Sequence, residues 1–322
     1  MLRFIFAIAL VWGAISLSPT HKADAQEPQY SQYKTPENAK ENWYVRHKSF
    51  KAEPFAVGDV SRFMFDGWSG GEIPVWAYVP TGVDLTEAPI LIMMHGAQRN
   101  PARYLLEWAP HAEENGFVVV APEFARKDFS GSRRYNSGNV FARNDGERTL
   151  VEEQEWTFSA IEPLFDHTVA ALGSQQTGYT LYGHSAGSQF THRYLYYKPE
   201  ARVKRYLAAN AGWYTLPDMS VEYPYGLNNG QVTEEALKAA LNKPVLVLLG
   251  DQDIQTNSSS LRQTEEAMQQ GEHRYNRGVT FMAVGKEQAE ALGVEFGWRA
   301  LPVAGVGHSN SGMAKAAAPF VR

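Results

Sequence analysis

Two uninterrupted apolar runs, Ile90-Leu91-Ile92-Met93-Met94 and Val245-Leu246-Val247-Leu248-Leu249, constrain this chain more than any other feature. A run with no polar alternation has no side for water, so it suits a strand buried on both faces. The runs sit within strand-like blocks at 89–95 and 244–250, and further blocks fall at 63–65, 74–79, 117–122, 179–183, 203–208 and 300–304. Amphipathic stretches lie between them, at 101–115, 149–172, 185–197, 233–241, 260–270 and 286–292. Strand then helix, repeated, predicts an α/β sandwich around a mostly parallel sheet. No internal repeat or low-complexity linker divides the chain, so one domain over residues 51–322 is the simplest expectation.

The chain has 322 residues, enough for a substantial core, and no cysteine. A disulfide framework, a thiolate metal site and a cysteine nucleophile are therefore excluded. The formal charge of −5 gives no electrostatic reason to expect a nucleic-acid partner. Any chemistry here must use oxygen or nitrogen groups.

Residues 1–25 have the order of a secretory signal peptide. Arg3 precedes an apolar run over 4–17, and Ala23 and Ala25 place small residues before a cleavage point at Gln26. The alternative is an uncleaved anchor, for which the run is short against the roughly 20 residues of a membrane span. Residues 26–50 are polar and irregular and are expected to form an N-terminal arm. A secreted or periplasmic protein, not stably inserted in a membrane after cleavage, is the expectation.

The segment Gly183-His184-Ser185-Ala186-Gly187 matches G-x-S-x-G, with a β-like stretch before it and a helical one after it. That setting is what a nucleophile elbow requires, with the serine on a strained turn and its hydroxyl clear of the sheet. A serine needs a base to take its proton. In the chain order serine, acid, histidine, His192 lies only two turns beyond Ser185 in the helical stretch, with no acid-bearing strand between, which leaves His273 and His308. His308, after the last predicted strand, is the candidate, because His273 lies in a charged loop. The run 245–249 leads into Gly250-Asp251-Gln252-Asp253, where two aspartates compete. Asp251, directly after the glycine, suits a turn-stabilising role. Asp253, two residues on, can reach across to orient an imidazole. The loop after 90–94, His95-Gly96-Ala97-Gln98, should supply one oxyanion donor, the Ala97 N–H, paired with the Ala186 N–H behind the serine. His95 suits bracing of that loop.

Two segments, 126–145 and 217–231, break the alternation. Each follows a predicted strand at its carboxyl end, where open α/β sheets form their crevice, so each is a rim or lid loop or an ordinary surface connection. Arg126, Lys127, Arg133, Arg134 and Arg143 make the first of them basic, either to draw a carboxylate-bearing substrate or simply as a solvated loop. Trp213 and Tyr214, after the strand at 203–208, either line an apolar groove as substrate-binding residues or fill the core.

With these residues in place, the chain resembles the α/β-hydrolase superfamily over about residues 55–322. From His95-Gly96 through Tyr104, Trp108 and Ala112 to Val120-Ala121-Pro122, and again at Tyr135-Asn136-Ser137-Gly138-Asn139, it is similar to polyhydroxybutyrate depolymerases and feruloyl-esterase-like secreted esterases. The resemblance implies an α/β-hydrolase fold, a mostly parallel eight-stranded sheet with helices on both faces, and a Ser185–Asp253–His308 triad. It departs from that group in having His184 where leucine is frequent and in lacking cysteine pairs. The expected reaction is hydrolysis of a small-molecule or polymeric carboxylic ester through an acyl-enzyme, which calls for no metal or organic cofactor. A serine peptidase of the same fold, or a catalytically silent hydrolase-fold binding protein, are the alternatives.

Overall fold

In the computed structural model, which describes residues 53–144 and 147–322, the alternation of apolar runs and amphipathic stretches becomes a succession of strands and helices. The signal peptide and the arm read from residues 1–50 lie outside the described residues. The first half holds β1 (Val60–Phe65), β2 (Ile73–Tyr78), β3 (Ile90–Met94), α1 (Pro101–Asn115), β4 (Val118–Pro122), β5 (Phe141–Asn144), β6 (Glu147–Leu150) and α2 (Ile161–Leu172). The second holds β7 (Tyr179–His184), α3 (Ala186–Tyr197), β8 (Val203–Ala209), α4 (Glu234–Asn242), β9 (Val245–Gly250), α5 (Glu265–Gln269), α6 (Arg274–Leu292), β10 (Trp298–Val303) and α7 (Asn310–Ala317).

Eight strands form one sheet in the order β1-β2-β4-β3-β7-β8-β9-β10. The β1–β2 and β2–β4 pairs are antiparallel, and every pair from β4–β3 to β9–β10 is parallel. At the centre, Ile92 pairs with Val120 on one side and Leu181 on the other. All residues of β3, β4, β7 and β9 are buried, which is why those segments carry no polar alternation. The period of two reappears as a choice between two covers. Val245, Val247 and Leu249 join a core with Leu237 of α4 and Phe281 of α6. Tyr182 of β7 instead meets Trp108 of α1, with ring centroids 4.7 Å apart. The fold is the α/β-hydrolase sandwich that the resemblance implied.

Local chemistry sets the helix ends. In α1, the Asn100 side chain accepts the Arg103 N–H, Pro101 opens the first turn, and Gly116 closes the helix in the left-handed region at φ 71°. Leu105, Trp108, Ala109 and Ala112 form its buried stripe. Helix α3 is buried along its whole length; on it Gln189 hydrogen-bonds to Asn136, and His192 and Arg193 both hydrogen-bond to Thr215.

Of the helix read over 260–270 only Glu265–Gln269 is helical, and two further stretches differ from expectation. The helix read over 149–172 begins only at Ile161, preceded by β6 and two short 3₁₀ turns at Glu153–Glu155 and Thr157–Ala160. Pro163 fits only the first turn of a helix, and the Trp156 Nε1–H turns back to the Val151 carbonyl at 2.8 Å. The helix read over 286–292 begins much earlier, at Arg274, because Gly278 lets it lie against Leu249 where any Cβ would collide. Among the described residues no helix is long and apolar enough to cross a membrane.

Candidate active site

Strand β7 ends at His184, and α3 starts at Ala186, so the whole reversal rests on Ser185. Its backbone sits at φ 58° and ψ −115°, a conformation that costs a non-glycine residue on the order of 1–3 kcal/mol. The glycines on either side make the turn sterically possible. A Cβ on Gly183 would lie 2.1 Å from the Gly187 carbonyl oxygen, and one on Gly187 would lie 2.0 Å from that of Met94. The Ser185 N–H donates to the Ala209 carbonyl (3.0 Å), tying the turn to β8.

From Ser185 a chain of side-chain hydrogen bonds runs across three loops. The Ser185 Oγ lies 3.0 Å from His308 Nε2, and His308 Nδ1 lies 2.7 Å from Asp253 Oδ2. His308 stands between β10 and α7, with its side chain 28% exposed, whereas that of Asp253 is 2% exposed. The second Asp253 oxygen, Oδ1, accepts from Arg274 Nη1 at 3.3 Å. Asp251 takes the other place foreseen for the pair: its Oδ1 accepts the Gly305 N–H (2.8 Å) and the Gln252 amide (3.1 Å), fastening two loops together. Asn210 braces the same region from β8. Its Oδ1 accepts the Gly250 N–H (2.9 Å), and its Nδ2 donates to the Gly307 carbonyl (3.0 Å) beside His308.

The loop after β3 reaches the serine from the opposite side. A Cβ on Gly96 would lie 3.8 Å from that of Ser185, so the exposed Ala97 stands next to the elbow, and Ala186 is the first residue of α3. His95 braces this loop from beneath: its Nδ1 pairs with the Gly96 carbonyl (3.1 Å), and its Nε2 accepts the Phe124 N–H (3.2 Å). Burial drives its pKa down to about 3, so the ring is neutral. Tyr135, from the loop after β4, stacks on His95 at 4.6 Å and donates to the His95 carbonyl (2.6 Å). Arg126 of the same loop donates to the Ala97 carbonyl at 2.7 Å, which sets one charge of the basic loop beside the elbow. Arg133 is used inside the loop, donating to Asn139 and to the Phe141 carbonyl.

Trp213 and Tyr214, read from sequence as groove-lining or core residues, are packed inside the protein. Trp213 is 5% exposed, with the guanidinium groups of Arg193 and Arg262 at 4.3 Å and 5.0 Å from its ring. Tyr214 is fully buried and stacks on Phe281 at 4.4 Å. Neither ring offers open surface to a substrate in this arrangement.

Sequence reasoning did not single out Arg274, Asn210 or Tyr135 for the site. His184, the residue before the serine, also reaches the site: its ring lies 4.8 Å from that of His308, and its Nδ1 pairs with the Tyr104 hydroxyl at 2.9 Å. Burial foremost, then the nearby His308, holds the His184 pKa far below the ordinary histidine range.

No protein-family model matches the chain, and no curated protein matches it. Solved structures do. Poly(aspartic acid) hydrolase-1 from Sphingomonas sp. KT-1 is 40% identical, with a TM-score of 0.79, over 83% of this chain and 99% of that one. LpqC, a poly(3-hydroxybutyrate) depolymerase from Bordetella parapertussis, is 32% identical, with a TM-score of 0.75, over 82% and 90%. FphF, a fluorophosphonate-binding serine hydrolase of Staphylococcus aureus, shares the fold at a TM-score of 0.52 with 12% identity, over 83% and 98%.

Proposed function

Because the chain belongs to the α/β-hydrolase superfamily, beside the depolymerase-type hydrolases, we propose that it is a serine hydrolase of carboxylic esters, small or polymeric. The observation that supports this reading is the unbroken path Ser185 Oγ–His308 Nε2, His308 Nδ1–Asp253 Oδ2, at 3.0 Å and 2.7 Å, built on a serine held at φ 58°.

In this reading Ser185 Oγ attacks the ester carbonyl while His308 Nε2 takes its proton. Asp253 holds the Nδ1–H, which fixes the ring and stabilises the imidazolium. The Ala97 and Ala186 N–H groups receive the oxyanion, a contribution of a few kcal/mol each. Collapse of the tetrahedral intermediate breaks the ester C–O bond, and His308 returns the proton to the leaving alcohol. Water, activated by the same imidazole, then attacks the acyl-serine and restores Ser185.

A second reading keeps the machinery and changes the bond. The relative at 40% identity is named for poly(aspartic acid), a polyamide that carries carboxylates, and Arg126 stands at the elbow beside Ala97. Turnover of poly(3-hydroxybutyrate), poly(aspartic acid) and p-nitrophenyl esters, side by side with Ser185→Ala as the blank, tests both. Ester turnover that vanishes in the blank supports the first reading, and release of acidic fragments from the polyamide alone supports the second. Full activity in Ser185→Ala overturns both, and an inert wild type revives the silent binding protein.

The reading extends to location. Residues 1–25 act as an export signal, and the mature chain starts at Gln26 in the extracellular or periplasmic space. Amino-terminal sequencing of protein recovered outside the cytoplasm tests it; an intact Met1 would overturn cleavage.

A further inference from the structure

Arg274 is placed where helix physics disfavours it. It is the first residue of α6, with the His273 side chain capping that end by accepting the Asn276 N–H (3.3 Å). A cation in a helix's first turn is opposed by the helix dipole. Its side chain is also 3% exposed, and its Nε has no acceptor among the described residues, an orphaned buried donor that destabilises the fold. Neither choice serves the stability of the helix.

The other atoms of the guanidinium explain the placement. Nη1 lies 3.3 Å from Asp253 Oδ1, and Nη2 donates to Ser260 Oγ at 2.9 Å. Asp253 is its ion-pair partner among the described residues. The backbone joins the same contact, since the Tyr275 N–H points to the Asp253 carbonyl at 3.4 Å. The neighbouring Arg277 is spent differently, donating to the carbonyls of Gly271, Gly212 and Arg262. The groups that face the His308–Asp253 pair are thus Ser185 and His184 from the elbow, with Tyr104 behind His184, the buried Tyr214 hydroxyl near Asp253, and Arg274 from α6. Asp251 faces Gly305 and Gln252.

We propose that Arg274 is a positioning residue for hydrolysis, acting through Asp253. By holding Oδ1 it leaves Oδ2 aimed at His308 Nδ1, and its charge compensates a carboxylate that is otherwise buried against a half-exposed imidazole. This inference rests on the serine-hydrolase reading of the same site. Without the cation, a proton is favoured on either member of the His308–Asp253 pair, and either protonation removes the base that Ser185 needs. Loss of Arg274 therefore raises the pH at which activity appears, an effect that mere loosening of α6 does not have.

The test compares wild type, Arg274→Met, Arg274→Lys and Ser260→Ala on a p-nitrophenyl ester from about pH 5 to about pH 9, with Ser185→Ala as the blank. Arg274→Met should lower kcat by about ten- to a hundred-fold with KM changed less than about threefold. The acid limb of its kcat/KM profile should move up by at least about half a pH unit. Arg274→Lys should keep the limb near its wild-type position. Ser260 is exposed, so Ser260→Ala tests the idea without opening the core; it should shift the limb in the same direction by less. An unshifted limb in folded Arg274→Met, or in Ser260→Ala if the former does not fold, overturns the proposal. A wild type with no Ser185-dependent turnover instead overturns the hydrolase reading on which it stands.

Discussion

The rings of His184 and His308 lie 4.8 Å apart with an interplanar angle of 39°, so the residue preceding the elbow serine forms a wall of the proposed base's pocket. His184 is 3% exposed and is kept neutral by burial, which spares His308 a second positive charge at its side. Its value to the site is shape. His184→Ala opens a gap beside His308 and should lower kcat several-fold, at a stability cost of about 1–3 kcal/mol. His184→Leu refills the wall and should restore most of the rate. Steady-state kinetics of the two variants check this; a leucine variant as poor as the alanine one would show that the ring nitrogens matter instead.

The two aspartates after β9 have separate partners, so their amides should fail differently. Asp253→Asn replaces one of the two carboxylate oxygens held by His308 Nδ1 and Arg274, and it should cost kcat roughly 10³–10⁴-fold. Asp251→Asn keeps an amide oxygen for the Gly305 N–H and should keep most activity, whereas Asp251→Ala loses that acceptor and should destabilise by about 1 kcal/mol, again with most activity kept. Paired kinetics and thermal melts separate them, and a reversed ranking moves the orienting role to Asp251.

Asn210 joins the loop after β9 to the loop carrying His308, through the Gly250 N–H and the Gly307 carbonyl. It also sits at φ 48°, which asparagine tolerates better than most residues. Asn210→Ala should therefore lower kcat about tenfold or more, with KM nearly unchanged, because the base is displaced while the substrate surface stays. A change confined to KM would contradict the bracing role.

Three buried histidines make stability depend on pH. His95 and His192 each accept a backbone N–H at Nε2, from Phe124 and Thr215, and burial lowers the pKa of both, as it does for His184. In the unfolded chain these groups titrate near the ordinary value of about 6.5. Below that pH the unfolded state binds more protons than the folded one, so stability present above about pH 6.5 is lost as the pH falls, by up to about 1.4 kcal/mol per unit for each histidine. Denaturant midpoints at about pH 7.5, 6 and 5 should fall steadily, before most carboxylates titrate. Equal midpoints across that range would contradict neutral burial.

What the sequence made legible were positions at the ends of apolar runs. Ser185, Asp253 and His308 each follow a recognisable strand, and the parallel order of β7, β8, β9 and β10 brings those strand ends together. The strands themselves were readable because burial on both faces removes polar alternation. Arg274 was not readable, since its meaning lies in a contact 21 residues away, at a helix start obscured by Gly278 and Gly285. Asn210 and Tyr135 look like loop residues until their partners, Gly307 and His95, are placed beside them. The hairpin of β5 and β6 escaped because β6 is exposed along its length and carries no apolar pattern.

The central claim is that Ser185 is the nucleophile, and the most direct measurement is labelling with a fluorophosphonate followed by peptide mass spectrometry. The account predicts one equivalent of phosphonate on Ser185, absent in Ser185→Ala and formed at least about a hundredfold more slowly in His308→Ala. Label on another residue, or an unlabelled Ser185 in an active preparation, would contradict it.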